Sequence, residues 1–246
     1  NHGVQLDVGT STATDEKFTN RYVRTKVCDS AAGLETNCKA YAAGYKPEGL
    51  IQTNAHQMRF ALVSYLADNS QSRDGGVLRS KMKYTGPYKY VAGTGLVNNA
   101  NKEWSETDGT FITNPDPTDA SASDVSNSGV INYINKFGGS GYKIFDPAGE
   151  LYYEALRYFK KLGPTPEYSS GMTHAMKDSF PVITTWDDPI QEWCQKNYII
   201  GINDANPWLD KKLPGTFFTC DKAGKAGMPA SYYAGDCGEP SKPDTS

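Results

Sequence analysis

Residues 58–66, with the sequence MRFALVSYL, are apolar at both alternating sets of positions, apart from Arg59 and Ser64. A strand that is buried between two layers of helices has this pattern, because both of its faces contact apolar side chains. The pattern therefore predicts a central strand of a sheet over these residues.

The sequence VLRSKMKY at residues 77–84 alternates instead, with Arg79, Lys81 and Lys83 on one face. Cationic side chains on one face are typical of an edge strand that is protected against pairing with other chains. Between the two runs, Asp-Gly-Gly at residues 74–76 is a strong turn signal. The three segments together predict an antiparallel hairpin.

Two amphipathic helices are predicted after the hairpin. Residues 126–137 place apolar side chains at helical spacing, and the glycines at 138–139 end the run. The stronger helix covers residues 146–163, where Asp146 can cap the first free amides and Pro147 suits the first turn. Its predicted buried stripe consists of four apolar residues, Leu151, Ala155, Phe159 and Leu162.

A second run that is apolar on both faces covers residues 196–202, and it leads directly into Asn203 and Asp204. This run predicts a second buried strand, so Asp204 is expected at the carboxyl end of a central strand. The order of strand, edge strand, helix, helix and strand is that of an α/β protein with an open sheet. The long polar connections are expected to be functional insertions or mobile segments, and they cover residues 85–125, 164–195 and 205–246.

The charge of the chain excludes one class of partner. Its 246 residues carry 25 basic and 28 acidic side chains, which give a formal net charge of -3 without any basic run. We expect no binding of nucleic acid, because the release of counterions from phosphates needs clustered cations. No run of about 18 apolar residues is present, so no membrane span is predicted. The chain begins at Asn1, and we expect an excerpt of a longer protein rather than a processed chain.

The five cysteines indicate an exported protein. Cys28 and Cys38 border a short polar segment, and we predict a disulfide between them, which stabilises the fold by roughly 3 kcal/mol. Cys220 and Cys237 border a second loop and form the other predicted pair. Free buried thiols at all five positions are the alternative. Cys194 is left over, which suggests a partner outside these residues, a shuffled pairing or a buried position.

Two aspartates are the best-placed candidates for binding a metal ion. Asp204 follows a predicted central strand, and ligands bind at the carboxyl ends of strands in an open α/β sheet. Asp146 lies at a predicted helix start, and it meets Asp204 and Asn203 if the strand and the helix are neighbours. The alternative is that Asp146 only caps its helix and that Asp204 only caps the following turn.

Seven blocks that are spread over most of the chain share one resemblance, and they are VCDSAAGLETNC at 27–38, YKPEGLIQ at 45–52, MRF at 58–60, DGGVLR at 74–79, SGVINYINKFG at 128–138, ELYYEALRY at 150–158, and the segment from CQKN at 194–197 through Pro-Gly at 214–215. Together they resemble the PilY/PilC family of type IV pilus assembly proteins, the tip-associated adhesins. The resemblance covers the amino-terminal, von Willebrand factor A-like region of that family, without its large carboxy-terminal β-propeller.

The resemblance implies an α/β fold with an open von Willebrand factor A-like (Rossmann-like) sheet, helices on both faces and long loop insertions, which is incomplete in this chain. Three parts are expected along the sequence. Residues 1–57 form an amino-terminal segment with a disulfide and the first helix. Residues 58–215 form a partial von Willebrand factor A-like core with insertions, and residues 216–246 form a loop and linker.

The resemblance also implies a divalent cation, Mg2+ or Ca2+, in the complete domain. Von Willebrand factor A-like domains often hold such a cation through three loops. Asp204 matches the third loop, and Asp146-Pro147 stands where the second loop would carry Thr before Pro. The first loop, D-x-S-x-S, is matched only loosely by DVGTST at residues 7–12. We therefore expect this chain alone to bind the cation weakly or not at all.

An extracytoplasmic protein at the cell surface, at the pilus tip or secreted is what the resemblance implies. It would support pilus biogenesis, attachment and twitching motility. The implied partners are pilins or minor pilins at the pilus tip, and a host or abiotic surface. We expect the chain to bind rather than to catalyse, through the loops at residues 85–125 and 164–195.

Two other functions stay open on the sequence. A secreted hydrolase would use a carboxylate pair such as Asp187 with Asp188, or Glu150 with Glu154. Adjacent residues diverge, and the second pair is expected on a solvated helix face, so neither pair favours acid–base roles. A carbohydrate-binding module would use exposed aromatic side chains, and the candidates are Tyr84, Tyr88, Tyr90, Trp104 and Trp208.

Overall fold

A computed structural model describes residues 3–5, 22–24, 26–70, 73–136 and 143–203 of the chain. Several predicted features lie outside these residues, namely the loose D-x-S-x-S match at 7–12, Asp204, the cysteines Cys220 and Cys237, and the loop and linker at 216–246. The predictions that concern them stay predictions. None of the described helices is both long enough and apolar enough to span a bilayer.

The strands of the described residues form four two-stranded antiparallel sheets. Each sheet is a pair of strands that are consecutive in the sequence. The pairs are β1 (Gly3–Gln5) with β2 (Tyr22–Arg24), β3 (Cys38–Tyr41) with β4 (Gly44–Pro47), β5 (Phe60–Ser64) with β6 (Val77–Lys83), and β7 (Tyr88–Val91) with β8 (Gly95–Asn98).

Five α-helices and one 3-10 turn accompany these strands within the described ranges. They are α1 (Leu50–Asn54), α2 (Pro117–Ala122), α3 (Val130–Lys136), α4 (Ala148–Phe159), α5 (Pro166–Ser169) and the 3-10 turn Ala175–Lys177. Helices α3 and α4 pack against β5, and α4 also packs against β6. The β5–β6 hairpin is therefore the sheet against which α3 and α4 pack.

The predicted hairpin is confirmed, because β5 and β6 pair in the antiparallel direction on either side of residues 74–76. The side chains of β5 are mostly half-buried rather than enclosed by two layers. The open von Willebrand factor A-like sheet needs further strands beside this pair, and it stays a prediction.

The cationic face of β6 does not lie in solvent, contrary to the edge-strand prediction. Arg79 is buried, and Lys83 is mostly covered by two carboxylates. Lys81 is paired with Asp119 and Asp187. Alternating charges predict a solvent-exposed face only when no other segment packs against that side of the strand. Here carboxylates and carbonyls from later segments bind the cationic side chains.

Arg79 ties β6 to two other segments through its guanidinium group. Its Nε donates to Ser64 Oγ at 3.0 Å, and its Nη2 donates to the Tyr65 carbonyl at 2.6 Å. Its Nη1 donates to three carbonyls at the end of the 3-10 turn and just after it, those of Lys177 at 2.8 Å, Phe180 at 3.4 Å and Pro181 at 3.3 Å. Among the described residues no carboxylate forms an ion pair with Arg79. Hydrogen bonds to backbone carbonyls therefore replace most of the hydrogen bonds to water that the guanidinium loses on burial.

Helix α4 starts and ends inside its predicted range, but a different face is buried. The buried side chains are Glu150, Glu154 and Tyr158, whereas the predicted apolar stripe is at most half-buried. Both glutamates accept backbone N–H groups, Glu150 from Gly75 at 2.6 Å and Glu154 from Thr165 at 3.0 Å. Burial raises the pKa of Glu154, and the hydrogen bonds from Thr165 oppose that shift. The solvated face expected for this pair is therefore wrong.

Tyr168 closes over the turn that joins β5 to β6. Its ring lies so near Gly75 that a Cβ on that residue would come within 1.9 Å of the ring carbon Cγ. Gly75 also has φ +68°, in the left-handed region that favours glycine. The turn is therefore fixed by a glycine on two separate grounds, steric and conformational.

Residues 85–125 are not a loop that lies outside the core. They contain the β7–β8 hairpin and α2, and the side chain of Trp104 is buried against Ala55 and Ile131. Glu103, the neighbour of that tryptophan, is also completely buried. Low periodicity reflects many short elements here rather than mobility, so deletion of this segment would remove part of the core.

The predicted second strand at residues 196–202 is not present as a strand. This segment has no helix or strand, and Ile200 and Ile202 are 85% and 87% exposed. The run continues the exposed apolar side chains that begin at Trp193. A strand needs a neighbouring strand to bond its amides, and the described residues supply none beside it.

A salt bridge fixes the loop that follows β5. Asp68 accepts the backbone N–H of Ser70 at 2.8 Å and pairs with Arg73 at 3.0 Å. The bond from Ser70, followed by that from Arg73, lowers the pKa of Asp68 to about 2, against an opposing effect of burial. The folded state thus stabilises the ionised carboxylate.

Candidate binding surface

The two predicted metal ligands cannot be brought together within the described residues, because Asp204 lies outside them. Asp146 is buried one residue before Pro147, which is the N-cap of α4. The helix thus begins two residues later than its predicted start. The divalent cation of the complete domain stays a prediction.

The predicted disulfide between Cys28 and Cys38 is present in the structure. Glu35 lies beside it and accepts the backbone N–H of Cys28 at 3.0 Å. These three residues are close enough to resemble a metal site. Disulfide sulfurs are not thiolates, however, so the cluster has only one strong ligand. Cys194 is free and exposed, which excludes the buried position considered for it.

The β7–β8 hairpin presents an exposed aromatic and apolar face. In its register Tyr90 is opposite Leu96 and Tyr88 is opposite Asn98, so all four side chains lie on one side. Tyr88, Tyr90 and Leu96 are 47%, 56% and 63% exposed. Lys89 and Val97 lie on the other side and are less exposed. We define the three exposed residues Tyr88, Tyr90 and Leu96 as the hairpin face.

The base of this hairpin is fixed by a buried asparagine. Asn99 donates from Nδ2 to the carbonyls of Tyr84 at 2.8 Å and Gly86 at 2.7 Å. Its backbone N–H also donates to the Pro87 carbonyl at 2.7 Å. A two-stranded hairpin is marginal on its own, so these three bonds are what holds the hairpin face in a defined position.

The tip of the hairpin is a short turn closed by the hydrogen bond from the Thr94 N–H to the Val91 carbonyl, at 3.0 Å. Gly93 has φ +77°, and no atom lies within 4 Å of where its Cβ would be. The turn therefore projects away from the rest of the described chain. A projecting turn on a fixed base can enter a partner's surface without any change in the core.

Sequence reasoning found only part of this surface. Tyr88 and Tyr90 are among the aromatic candidates, whereas Leu96 is not. The signal that could have revealed it is the spacing about Gly93 and Gly95, which places Leu96 across from Tyr90 once a hairpin is assumed. Trp104, another aromatic candidate, is buried and contributes to the core instead.

The carboxylate pairs proposed for a hydrolase do not form an accessible site. Glu150 and Glu154 are completely buried and bonded to backbone amides, so a substrate cannot reach them. Asp188 is exposed and paired with Lys161, and that hydrogen bond lowers the pKa of its carboxyl. Asp187 is exposed and paired with Lys81. The two aspartates thus pair with different lysines rather than facing one substrate position together.

Comparison with known proteins identifies the family. A family model described as the second domain of PilY1 homologs matches residues 64–235. The chain belongs to the PilY1 family. This PilY1-family chain is also 47% identical over 209 residues to the type IV pilus biogenesis factor PilY1 homolog of Xylella fastidiosa (strain Temecula1 / ATCC 700964). That alignment covers 78% of the chain and 17% of the relative, so the chain spans about a sixth of the relative's length.

The match confirms the family resemblance that the sequence blocks indicate. The matched range of this PilY1-family chain contains β6, the hairpin face and helices α2 to α5. No solved structure matches the chain.

Proposed function

We propose that this PilY1-family chain serves type IV pilus biogenesis by binding other proteins, and that the hairpin face is its contact surface. The name of the Xylella relative, a type IV pilus biogenesis factor, supports this process. The exposed hairpin face on a fixed base is the observation that carries the mode of action.

Tyrosines on a rigid support suit this role for a physical reason. A tyrosine offers a large contact area and a hydroxyl, and it loses few rotamers on binding, so tyrosine is enriched among energetically dominant interface residues. The buried bonds of Asn99 mean that little further ordering is needed when a partner docks. The hairpin face is small, so it would act as one of several contacts in the longer protein.

Several finer statements belong to the same proposal. The partners would be pilins or minor pilins at the pilus tip, and the longer protein would support attachment to a host or abiotic surface and twitching motility. An extracytoplasmic location agrees with the disulfide, because such bonds persist in oxidising compartments. The von Willebrand factor A-like sheet and its cation through Asp146 and Asp204 remain part of the proposal for the complete domain.

The experiment replaces both tyrosines in the full-length protein, as Tyr88→Ser with Tyr90→Ser. Truncation of interface tyrosines typically costs about 1–2 kcal/mol each, so binding should weaken at least about tenfold. The readouts are the amount of surface pili recovered by shearing and the number of attached cells. Tyr45→Ser is the matched control, since Tyr45 is a 43% exposed tyrosine on the β3–β4 hairpin.

The result that contradicts the proposal is a double variant, present at normal level, that makes pili and attaches like the parent. Equal defects in the double variant and in the Tyr45→Ser control would also contradict it, because the hairpin face would then have no special role.

A carbohydrate-binding module is the second candidate, and the alternation of β7 favours it. Tyr88 and Tyr90 are exposed side by side on one strand, with the amide-bearing Asn98 on the same side. Aromatic rings beside a polar side chain can stack on and bond to a sugar. A glycan array with the full-length protein separates the two candidates, since only a carbohydrate-binding module would give glycan signals that vanish in the double variant.

A further inference from the structure

A lysine and two carboxylates converge beneath the base of the β7–β8 hairpin. The Nζ atom of Lys83, at the end of β6, lies 2.6 Å from Oδ2 of Asp116 and 3.0 Å from Oε1 of Glu103. Glu103 is completely buried, while the side chains of Lys83 and Asp116 are only slightly exposed. The three residues come from separate segments, so the fold brings them together.

Asp116 occupies a helix N-cap, where the side chain of an aspartate usually accepts a backbone N–H of the first turn. It is the N-cap residue of α2, yet its side chain makes no capping bond to that helix. The carboxyl group turns instead toward Lys83, and Oδ1 accepts a hydrogen bond from Asn101 Nδ2 at 3.4 Å. Its two oxygens thus have different partners, an amine on one side and an amide donor on the other.

Glu103 is held in place from the opposite side. Its Oε1 accepts the N–H of Val130 at 2.9 Å, and its Oε2 accepts the N–H of Ile131 at 2.7 Å. These are free amides at the start of α3. The carboxylate therefore keeps one orientation toward Lys83, and it cannot swing into solvent.

We propose that Lys83 and Asp116 become joined by an intramolecular isopeptide bond, with Glu103 as the group that transfers the protons. An amine held against a carboxyl carbon gains from proximity, because the reaction of two groups in one site avoids the entropy cost of an encounter. Exclusion of bulk water also favours an amide over its hydrolysis products. No cofactor or oxidant is needed, since the reaction is a condensation.

The atoms balance as follows when Asp116 starts as the protonated acid. The Lys83 ammonium gives one proton to the Glu103 carboxylate, and the free lone pair of Nζ forms a bond to Cγ of Asp116. The electrons of the Cγ–Oδ1 double bond move onto Oδ1, which faces Asn101. Through Glu103, a second proton moves from Nζ to the hydroxyl at Oδ2. The Cγ–Oδ2 bond then breaks, water leaves and the double bond to Oδ1 re-forms.

The environment of Asp116 favours this starting state. Burial raises the pKa of its carboxyl, although the positive charge of Lys83 opposes the shift. A neutral carboxylic acid is a better electrophile than a carboxylate, because no negative charge repels the incoming lone pair. The amide of Asn101, 3.4 Å from Oδ1, faces the oxygen on which negative charge develops during the attack.

Peptide mapping of the full-length protein isolated from cells tests the bond directly. Trypsin cannot cleave after an acylated Lys83, so residues 82–89 would remain one peptide, attached to the peptide of residues 103–136 that contains Asp116. The linked species should weigh one water molecule less than the sum of the two peptides. Fragmentation should locate the bond at Lys83 and Asp116.

Three variants assign the roles. Lys83→Arg keeps the cation but has no amine able to form this amide, so the linked peptide should disappear completely. Glu103→Gln should lower the linked fraction at least tenfold. Lys81→Arg is the matched control on the same strand, and it should leave the linked fraction unchanged, because Lys81 faces the carboxylates of Asp119 and Asp187 at the surface.

Two results would overturn the inference. Separate peptides ending at Lys83 and containing an unmodified Asp116, in otherwise intact parent protein, would show that the triad is an ordinary buried ion cluster. A linked fraction in Glu103→Gln that equals that of the parent, with the same circular dichroism spectrum, would remove Glu103 from the reaction. The parent measurement does not depend on whether any variant folds.

Discussion

Replacement of Arg79 by methionine should destabilise the protein far more than the same replacement of Lys81, the next charged residue on β6. Methionine fills much of the same volume but donates no hydrogen bonds. The partly buried carbonyls of Tyr65 and Lys177, which accept at 2.6 and 2.8 Å, and the buried hydroxyl of Ser64, which accepts at 3.0 Å, would then lose those donors. Each abandoned buried acceptor costs about 1–3 kcal/mol.

The loss of the buried charge offsets part of this cost, because a guanidinium taken out of water carries its own penalty. We therefore expect the free energy of unfolding to fall by about 3 kcal/mol. For a chain of this size that corresponds to a decrease in Tm of about 6–12 °C. Urea unfolding followed by tryptophan fluorescence measures the free energy of unfolding. The slope of that free energy against urea concentration should equal the slope of the parent protein.

Lys81→Met on the same strand is the control, and it should cost at most about 1 kcal/mol because its ion pairs are partly exposed. An Arg79→Met protein within 1 kcal/mol of the parent would refute the reasoning. The backbone carbonyls around the guanidinium would then be satisfied by water, and Arg79 would not connect the segments it touches.

Two further outcomes are expected. Gly75→Ala should destabilise by more than about 3 kcal/mol, since its methyl group would overlap the Tyr168 ring, whereas Gly93→Ala, with open space around it, should cost about 1 kcal/mol; equal midpoints in urea would contradict this. Asp68 has a folded pKa of about 2, below its value in the unfolded chain. Its contribution is therefore complete above about pH 4 and lost as the pH falls toward 2. Acid titration of Asp68→Asn should show a smaller loss of stability over that interval, and identical acid curves for both proteins would exclude the effect.

The β5–β6 hairpin and the helices α3 and α4 could be predicted from the sequence. The short elements of residues 85–125, the absence of a strand at 196–202 and the surroundings of each element could not. The β5–β6 hairpin follows from residues that adjoin each other, namely two β-rich runs and the glycine turn at 74–76. The face that α4 buries depends on amides that lie outside the helix, those of Gly75 and Thr165. Hydrophobic spacing carries no information about such donors, so it predicts a solvated position for Glu150 and Glu154.

The same limit applies to the hairpin face and to the lysine triad. Alternation along β7 indicates which tyrosines share a side. The exposure of Leu96, however, depends on whether another part of the folded chain covers it. Lys83 has the sequence signature of a solvated edge residue. Its two carboxylate partners, Glu103 and Asp116, belong to a stretch whose composition is typical of a loop, and only the folded chain shows that this stretch surrounds the amine.

The exposed run at residues 196–202 has a consequence for work with the protein at high concentration. From Asn197 to Asn203 the chain carries no charged side chain, and Ile200 and Ile202 project into solvent. Short uncharged β-prone segments are templates for intermolecular strand pairing and aggregation. The exposed thiol of Cys194 lies just before this run and can lock two associated copies by oxidation. Aggregation, rather than unfolding, would then limit how long concentrated samples stay clear. Ile200→Lys should slow the rise in their turbidity.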